Sequence, residues 1–173
     1  ESFVQSIKGN VVRVDDDVTT GSERIALAYK RFFDDKDYEF IINVQGDEPL
    51  LIANEIKMIG LAHQSSDFDI FTGVKKRKST DPEFKNSNVV KCIYSQVTNQ
   101  CLYFSRESIP FNRDGIDHDW FQHIGIYSYK VKALLDFVEL NESAFERGEK
   151  LEQLRALENG MTLGAELTEI NLI

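Results

Sequence analysis

Cysteine, histidine and long apolar runs are all scarce in this chain of 173 residues, and each scarcity closes off a class of function. Two cysteines, Cys92 and Cys101, are too few for a disulfide scaffold or a cysteine-based zinc site, and the three histidines are scattered without ligand spacing. A reducing, cytoplasmic setting fits that usage. No apolar run approaches the ~20 residues of a spanning helix, and no secretory signal is visible. Positive charge is also short: 20 Lys and Arg stand against 29 Asp and Glu, a formal net charge of −9. The field of such a molecule repels nucleic acid and anionic membranes, so an anionic substrate here needs a local Arg, Lys or metal ion. Repeats, low-complexity tracts and linkers are missing too, which leaves one domain with a real core as the default.

What is present reads as a layered α/β protein. The chain opens in an amphipathic helical pattern (Phe3, Val4, Ile7) that closes at Gly9, a beginning that looks cut from something longer. "NVVRV" then reads as a short strand. Ile25, Tyr29, Phe32 and Phe33 fall on one face of a following helix, a face expected to pack on a sheet. "FIINV" over 40–44 has the apolar density of a strand covered on both faces. A helix over 53–65 and a strand near "DIFTGV" continue the alternation. "NVVKCIY" and "CLYFSR" flank the turn-rich "SQVTNQ" and read as an inserted antiparallel hairpin. "HIGIYSY" returns as a strand, helices over 131–140 and 143–159 run to a stop at Gly160, and "LGAELTEINLI" is a last strand. The expectation is a mixed, mostly parallel sheet flanked by helices, with one inserted hairpin.

Five stretches could carry chemistry, and each has an ordinary reading beside the functional one. In "TTGSER", Thr20 and Glu23 have capping-box spacing, while Gly21, Ser22 and the free N–H groups of a helix start would also suit a nucleotide. "VQGDEPLL" delivers Asp47 and Glu48 at a strand end, where open α/β sheets place ligands and where turns also place acids. A hard cation such as Mg2+ takes one or two carboxylates and completes its shell with phosphate and water. Arg106 in "YFSRESIPFNR" is either a surface salt bridge or a two-pronged grip on a carboxylate. His123, Tyr127 and Tyr129 lie on one face of their strand, which suits a satisfied core histidine as well as a site. Glu152 and Gln153 sit beside the apolar stripe Leu151, Leu154 and Leu157, and a solvated helix face is their plain reading.

In this order and approximate spacing, TTGSER, the INVQGDEPL strand end, YFSRxxIPxxR, HIGIYSY and EKLEQLRALENG closely resemble the 3-deoxy-manno-octulosonate cytidylyltransferases, or CMP-Kdo synthetases. The resemblance spans nearly the whole chain. It implies a nucleotide-diphospho-sugar transferase-like fold, usually a homodimer, that couples CTP to Kdo, releases pyrophosphate and serves lipopolysaccharide synthesis in the cytoplasm. It assigns Thr20, Gly21, Ser22 and Gln45 to the nucleotide, with Gln45 between nucleotide and sugar, and Asp47 to Mg2+. Arg106, His123, Tyr127, Glu152 and Gln153 would surround the sugar, with Arg106 on its carboxylate. Catalysis would rest on Asp47, Gln45 and Arg106. The family's N-terminal loop, of the form IPARxxSxRxPGKPL, and its later GVDTPEDL have no counterpart here. Residues 1–173 are therefore expected to form a single cytidylyltransferase domain without those segments, part of a longer protein. Two other readings stay open: a sister enzyme for 8-amino-Kdo or a sialic acid, and a degenerate domain kept for assembly.

Overall fold

The computed structural model describes residues 1–44 and 52–169. Gln45, Asp47 and the rest of the "QGDEPLL" strand end lie outside the described residues, as do the last four residues of the chain. The chain divides into two compact units, Glu1–Glu39 and Phe40–Ile173.

The first unit holds two helices and no strand. Helix α1 (Ser2–Ser6) buries nothing, and its Phe3 and Ile7 stay exposed. The expected strand over 10–14 does not form. That segment instead meets side chains of helix α2 (Gly21–Phe32): Arg24 Nη1 donates to the Val14 carbonyl, and just beyond it Arg31 grips Asp16 with two bonds of 2.6 and 2.8 Å. Thr20 caps α2 by accepting from the Glu23 amide at 3.2 Å, but Glu23 reaches back to the Thr19 amide rather than closing the box on Thr20. The buried stripe of α2 is Ser22, Ala26 and Tyr29, with Ile25 half-buried and Phe32 exposed. Large apolar residues suggested a different stripe because small residues, which allow the closest approach, carry no hydrophobic signal.

The second unit is built on β1 (Phe40–Asn43), α3 (Ala53–Gln64), β2 (Ile70–Lys78), β3 (Lys91–Ser95), β4 (Gln100–Ser105), β5 (Asp119–Lys130), α4 (Val131–Phe137), α5 (Ala144–Glu149), α6 (Gln153–Glu158) and β6 (Leu163–Leu167). The strand order is β1-β5-β2-β6-β4-β3, and β3 pairs back onto β5, so five strands close into a ring with β1 attached at its side. The sheet is mixed, as expected, but not mostly parallel. Among the described pairings only β2 with β6 is parallel. Strands β1, β2 and β6 do run one way, as a β-α-β unit demands. The long β5 runs against them and lies between β1 and β2, which turns both of their ladders antiparallel.

The strand covered on both faces is β5, which is buried along nearly its whole length, whereas β1 is half-buried and Val44 is exposed. Helix α3 lays Ile56, Ile59 and Ala62 on Phe71, Ile124 and Ile126. Each fully buried side chain of this kind contributes about 1.5–3 kcal/mol. The hairpin β3–β4 is not a lone edge ribbon: β3 pairs with β5 and β4 with β6, which is where its apolar faces go. The expected helix 143–159 is two helices. Lys150 takes a left-handed backbone, φ 54°, and turns the chain between α5 and α6, while Gly160 at φ 78° ends α6 as read from the sequence.

Candidate functional site

The ladder between β2 and β5 slips at one point. Gly73 pairs with Ile124 but its neighbour Thr72 pairs with Tyr127, so Gly125 and Ile126 are extra residues in β5. A bulge of this kind re-aims the side chains around it. Gly73 lets the strands approach there, since a Cβ on it would stand 3.2 Å from the Cβ of Ile124. His123 and Tyr127 flank the bulge, their ring centroids 5.3 Å apart, and the Phe104 ring from β4 meets His123 edge-on at 5.1 Å. Both site rings are 8% exposed.

Burial sets the protonation of this pair. Desolvation lowers the His123 imidazole to about 3, so it is neutral at ordinary pH. Desolvation, with Tyr129 and Glu152 nearby, pushes the Tyr127 phenol well up, so its hydroxyl keeps its proton. Glu152, at the start of α6, is near enough for its charge to oppose ionisation of Tyr127. Gln153 is buried rather than solvated, and its amide nitrogen has no hydrogen-bond partner among the described residues. A buried donor without a partner is costly in a finished core and natural where a ligand completes the set.

Arg106 joins the same corner in a way neither of its sequence readings foresaw. Its Nε donates to the Glu149 carbonyl at 2.8 Å, Nη1 to the Ser87 carbonyl at 3.1 Å and Nη2 to the Lys150 carbonyl at 3.4 Å. Three of its five N–H groups are spent on main chain, which leaves two outside these bonds. Main-chain acceptors leave no trace in side-chain identity, which is why the sequence could not name them. Lys91 is missed for the same reason. Fully buried, it donates from Nζ to the carbonyls of Asn86 and Arg106, each at 2.7 Å, and burial pulls its ammonium down.

The structure therefore gathers Arg106, His123, Tyr127, Glu152 and Gln153 around the end of β4, the bulge of β5 and the α5–α6 turn. Thr20, Gly21 and Ser22 sit at the start of α2 in the first unit, with Ser22 buried. Among the described residues there is no cluster of three or more His, Cys, Asp or Glu that could hold a metal; Asp47 lies outside them. The strongest basic run, Lys75 to Lys78, is largely engaged: Lys76 and Lys78 share Asp119 at 2.6 and 2.7 Å, and Arg77 holds Asp81 at 2.6 Å. Cys92 and Cys101 are buried free thiols, as read from the sequence. Sequence reasoning also missed Thr72 and Phe104. The Thr72–Gly73 step inside the apolar first half of β2 was the available signal, since glycine within a strand marks a bulge or a close approach.

A family model described as cytidylyltransferase matches residues 1–163. The 3-deoxy-manno-octulosonate cytidylyltransferase of Rickettsia prowazekii is 38% identical over 97% of this chain and 65% of its own length. That of Parabacteroides distasonis is 34% identical over 98% of this chain and 70% of its own length. The chain thus spans about two thirds of the curated relatives it matches. A solved structure of CMP:2-keto-3-deoxy-manno-octonic acid synthetase complexed with CTP superposes with a TM-score of 0.87 at 25% identity, over 96% of this chain and 67% of that one. The inositol-1-phosphate CTP transferase of T. maritima shares the fold, with a TM-score of 0.57 over 95% of this chain and 59% of that one. With its mixed α/β sheet and near-complete match, the chain belongs to the cytidylyltransferase family, among the 3-deoxy-manno-octulosonate cytidylyltransferases.

Proposed function

We propose that the protein transfers the cytidylyl group of CTP to 3-deoxy-manno-octulosonate, giving CMP-Kdo and pyrophosphate for lipopolysaccharide synthesis. The observation that carries this is the match, at TM-score 0.87 over 96% of the chain, to a synthetase whose solved structure holds CTP. In the reaction the sugar's anomeric hydroxyl attacks the α-phosphorus, a new P–O bond forms, the bond to the β-phosphate bridge breaks, and the proton leaves to solvent or base. Such transfers depend mainly on positioning and on neutralising charge.

The residues divide the work as follows. His123, Tyr127, Glu152 and Gln153 take the sugar, in a pocket lined by two buried rings and the buried Gln153. Arg106 shapes that pocket through main-chain bonds and has two N–H groups left to offer the sugar carboxylate. Thr20, Gly21, Ser22 and Gln45 take the nucleotide. Asp47 would hold Mg2+, a cation that would neutralise phosphate charge and that of the leaving pyrophosphate. The working form is a homodimer. No helix among the described residues is long and apolar enough to cross a membrane, and we place the enzyme in the cytoplasm, where CTP is made.

The test is to incubate the full-length protein with CTP, Mg2+ and, in parallel, Kdo, 8-amino-Kdo and N-acetylneuraminate, following pyrophosphate release and identifying the CMP-sugar by mass. Turnover is expected with Kdo. Preference for another sugar overturns the substrate, and no turnover with any of them overturns the activity. Sedimentation at micromolar concentration checks the dimer.

A further inference from the structure

We propose that Thr72 is a positioning residue that fixes His123 as the Nε2–H tautomer, so that its Nδ1 faces the sugar as a pure acceptor and takes a hydroxyl hydrogen. This deepens the reading of the sugar pocket above and rests on it.

The β5 bulge fixes where the hydrogens around Thr72 lie. Thr72 Oγ1, wholly buried, lies 2.9 Å from the Ile124 carbonyl, 2.7 Å from the Ile126 carbonyl and 3.1 Å from His123 Nε2. A threonine hydroxyl has one hydrogen and two lone pairs. Carbonyl oxygens only accept. If the hydroxyl hydrogen pointed at the imidazole, its lone pairs would stand against those of two carbonyl oxygens at less than 3 Å, with no hydrogen in between. The hydrogen is therefore committed to the carbonyls, and the remaining lone pair faces Nε2. That nitrogen has to donate.

A neutral imidazole carries one N–H, so a proton on Nε2 leaves Nδ1 with its lone pair. The ring is neutral because burial lowers its proton affinity, and Phe104 and Tyr127 hold its plane from two sides. Among the described residues nothing donates to Nδ1. An acceptor of this kind selects O–H. It repels a carboxylate, which is acceptor-only when ionised, so the acid group of the sugar must point away from His123, toward the Arg106 side. Thr72 would thus set the way round that the sugar binds without touching it.

The primary experiment is 15N NMR of the histidine rings in the full-length protein, using long-range 1H–15N correlations. Wild type is expected to show a protonated, amine-type Nε2 and an imine-type Nδ1 for His123, and the Nδ1 signal is expected to move when Kdo is added. A protonated Nδ1 in the wild type overturns the proposal, whatever the enzyme's activity. Thr72→Val removes the hydroxyl at nearly constant shape and is expected to raise sugar KM about three- to tenfold, the worth of one neutral hydrogen bond, with CTP KM unchanged. Thr72→Ser restores the hydroxyl and is expected to restore both the tautomer and the sugar KM. If Thr72→Val loses the tautomer preference while sugar KM stays put, the link to the substrate is wrong. Should no acidic sugar be turned over at all, the activity reading falls, and the tautomer measurement still stands on its own.

Discussion

Arg106 and Glu149 hold each other twice: the Arg106 guanidinium donates from Nε to the Glu149 carbonyl at 2.8 Å, and the Arg106 amide donates to the Glu149 carboxylate at 2.8 Å. The same carboxylate accepts from Ser105 Oγ at 2.6 Å. This reciprocal pair ties the end of β4 to the left-handed turn at Lys150, directly before Glu152 and Gln153. Arg106→Lys keeps the charge but loses the planar fork that reaches three carbonyls at once. We expect a loss of about 0.5–1.5 kcal/mol in unfolding free energy by urea titration, since a half-buried carbonyl of Glu149 and two exposed ones lose part of their donor set. Sugar KM rises with it because the start of α6 loosens. Unchanged stability with a raised sugar KM would mean that Arg106 acts only through its two remaining N–H groups on the carboxylate and not through the start of α6.

Lys91 extends that network inward. Its ammonium is the donor to the Asn86 and Arg106 carbonyls in a place no water reaches. Lys91→Met fills similar volume without a donor and orphans both oxygens, for an expected loss of about 2–4 kcal/mol. Chemical denaturation of the two proteins side by side measures it. A difference under ~0.5 kcal/mol would mean the carbonyls find other donors.

Periodicity made α3, β2, the β3–β4 hairpin and β5 legible, because each repeats its apolar residues at the spacing its own geometry imposes. The same alternation put His123 and Tyr127 on one face. What stayed hidden depended on partners far along the chain. "NVVRV" has the composition of a strand, yet its segment is held by Arg24 and by the nearby Arg31–Asp16 pair, and nothing local announces that. Lys150 breaks a helical pattern at positive φ without the glycine that usually marks such a break. Thr72 looks like any β-branched strand residue until the slip in register makes it the hydroxyl opposite two carbonyls.

Two buried histidines set the stability profile on the acid side. His63 is wholly buried and lowered by desolvation, with the Phe68 carbonyl 2.9 Å from its Nε2 and Ser128 Oγ 2.8 Å from its Nδ1; His123 is lowered to about 3. Unfolded, both titrate near the ordinary histidine value of 6.5. A folded pKa below the unfolded one means the native state binds fewer protons in between, so stability is full above about pH 6.5 and drains away as pH falls. Carboxylates held low by partners, such as Asp81 and Asp119, add their own losses only below the usual carboxylate range. Thermal melts between pH 7.5 and 5 are expected to show Tm falling steadily with pH. His63→Gln should melt lower overall but with a shallower pH slope, and an unchanged slope would remove His63 from the account.

Asp47→Asn tests the metal proposal. The substitution keeps the volume and removes the charge, so the thermal midpoint is expected to stay within a few degrees of wild type. Cytidylyl transfer at saturating Mg2+ is expected to fall by at least about a hundredfold, the scale of losing a charge-stabilising group at the reacting phosphate. Wild-type turnover would sink the assignment.

Glu146 and Arg155 form an almost completely buried ion pair, with bonds of 2.6 and 2.8 Å, and Glu146 also closes the capping box of α5 by accepting from the Ser143 amide. Arg155 further lies over the Phe137 ring, 5.2 Å from its centroid. Burial alone would raise the Glu146 carboxyl, but the hydrogen bonds from Arg155 and the Ser143 amide outweigh it and hold the group below its ordinary value. Arg155→Met removes the outweighing partner and leaves the burial. The expected cost at pH 7.5 is about 3–5 kcal/mol, the penalty of a buried charge stripped of its counter-ion. Its pH dependence carries the sharper sign. With Arg155 gone, only the Ser143 amide and the Arg147 charge oppose burial, so the folded pKa of Glu146 is expected to rise above the unfolded one; the native state then binds the extra proton and the deficit relative to wild type shrinks as pH falls from 7.5 toward 5. A large deficit that does not change with pH would mean Arg155 acts through packing on Phe137 rather than through its charge.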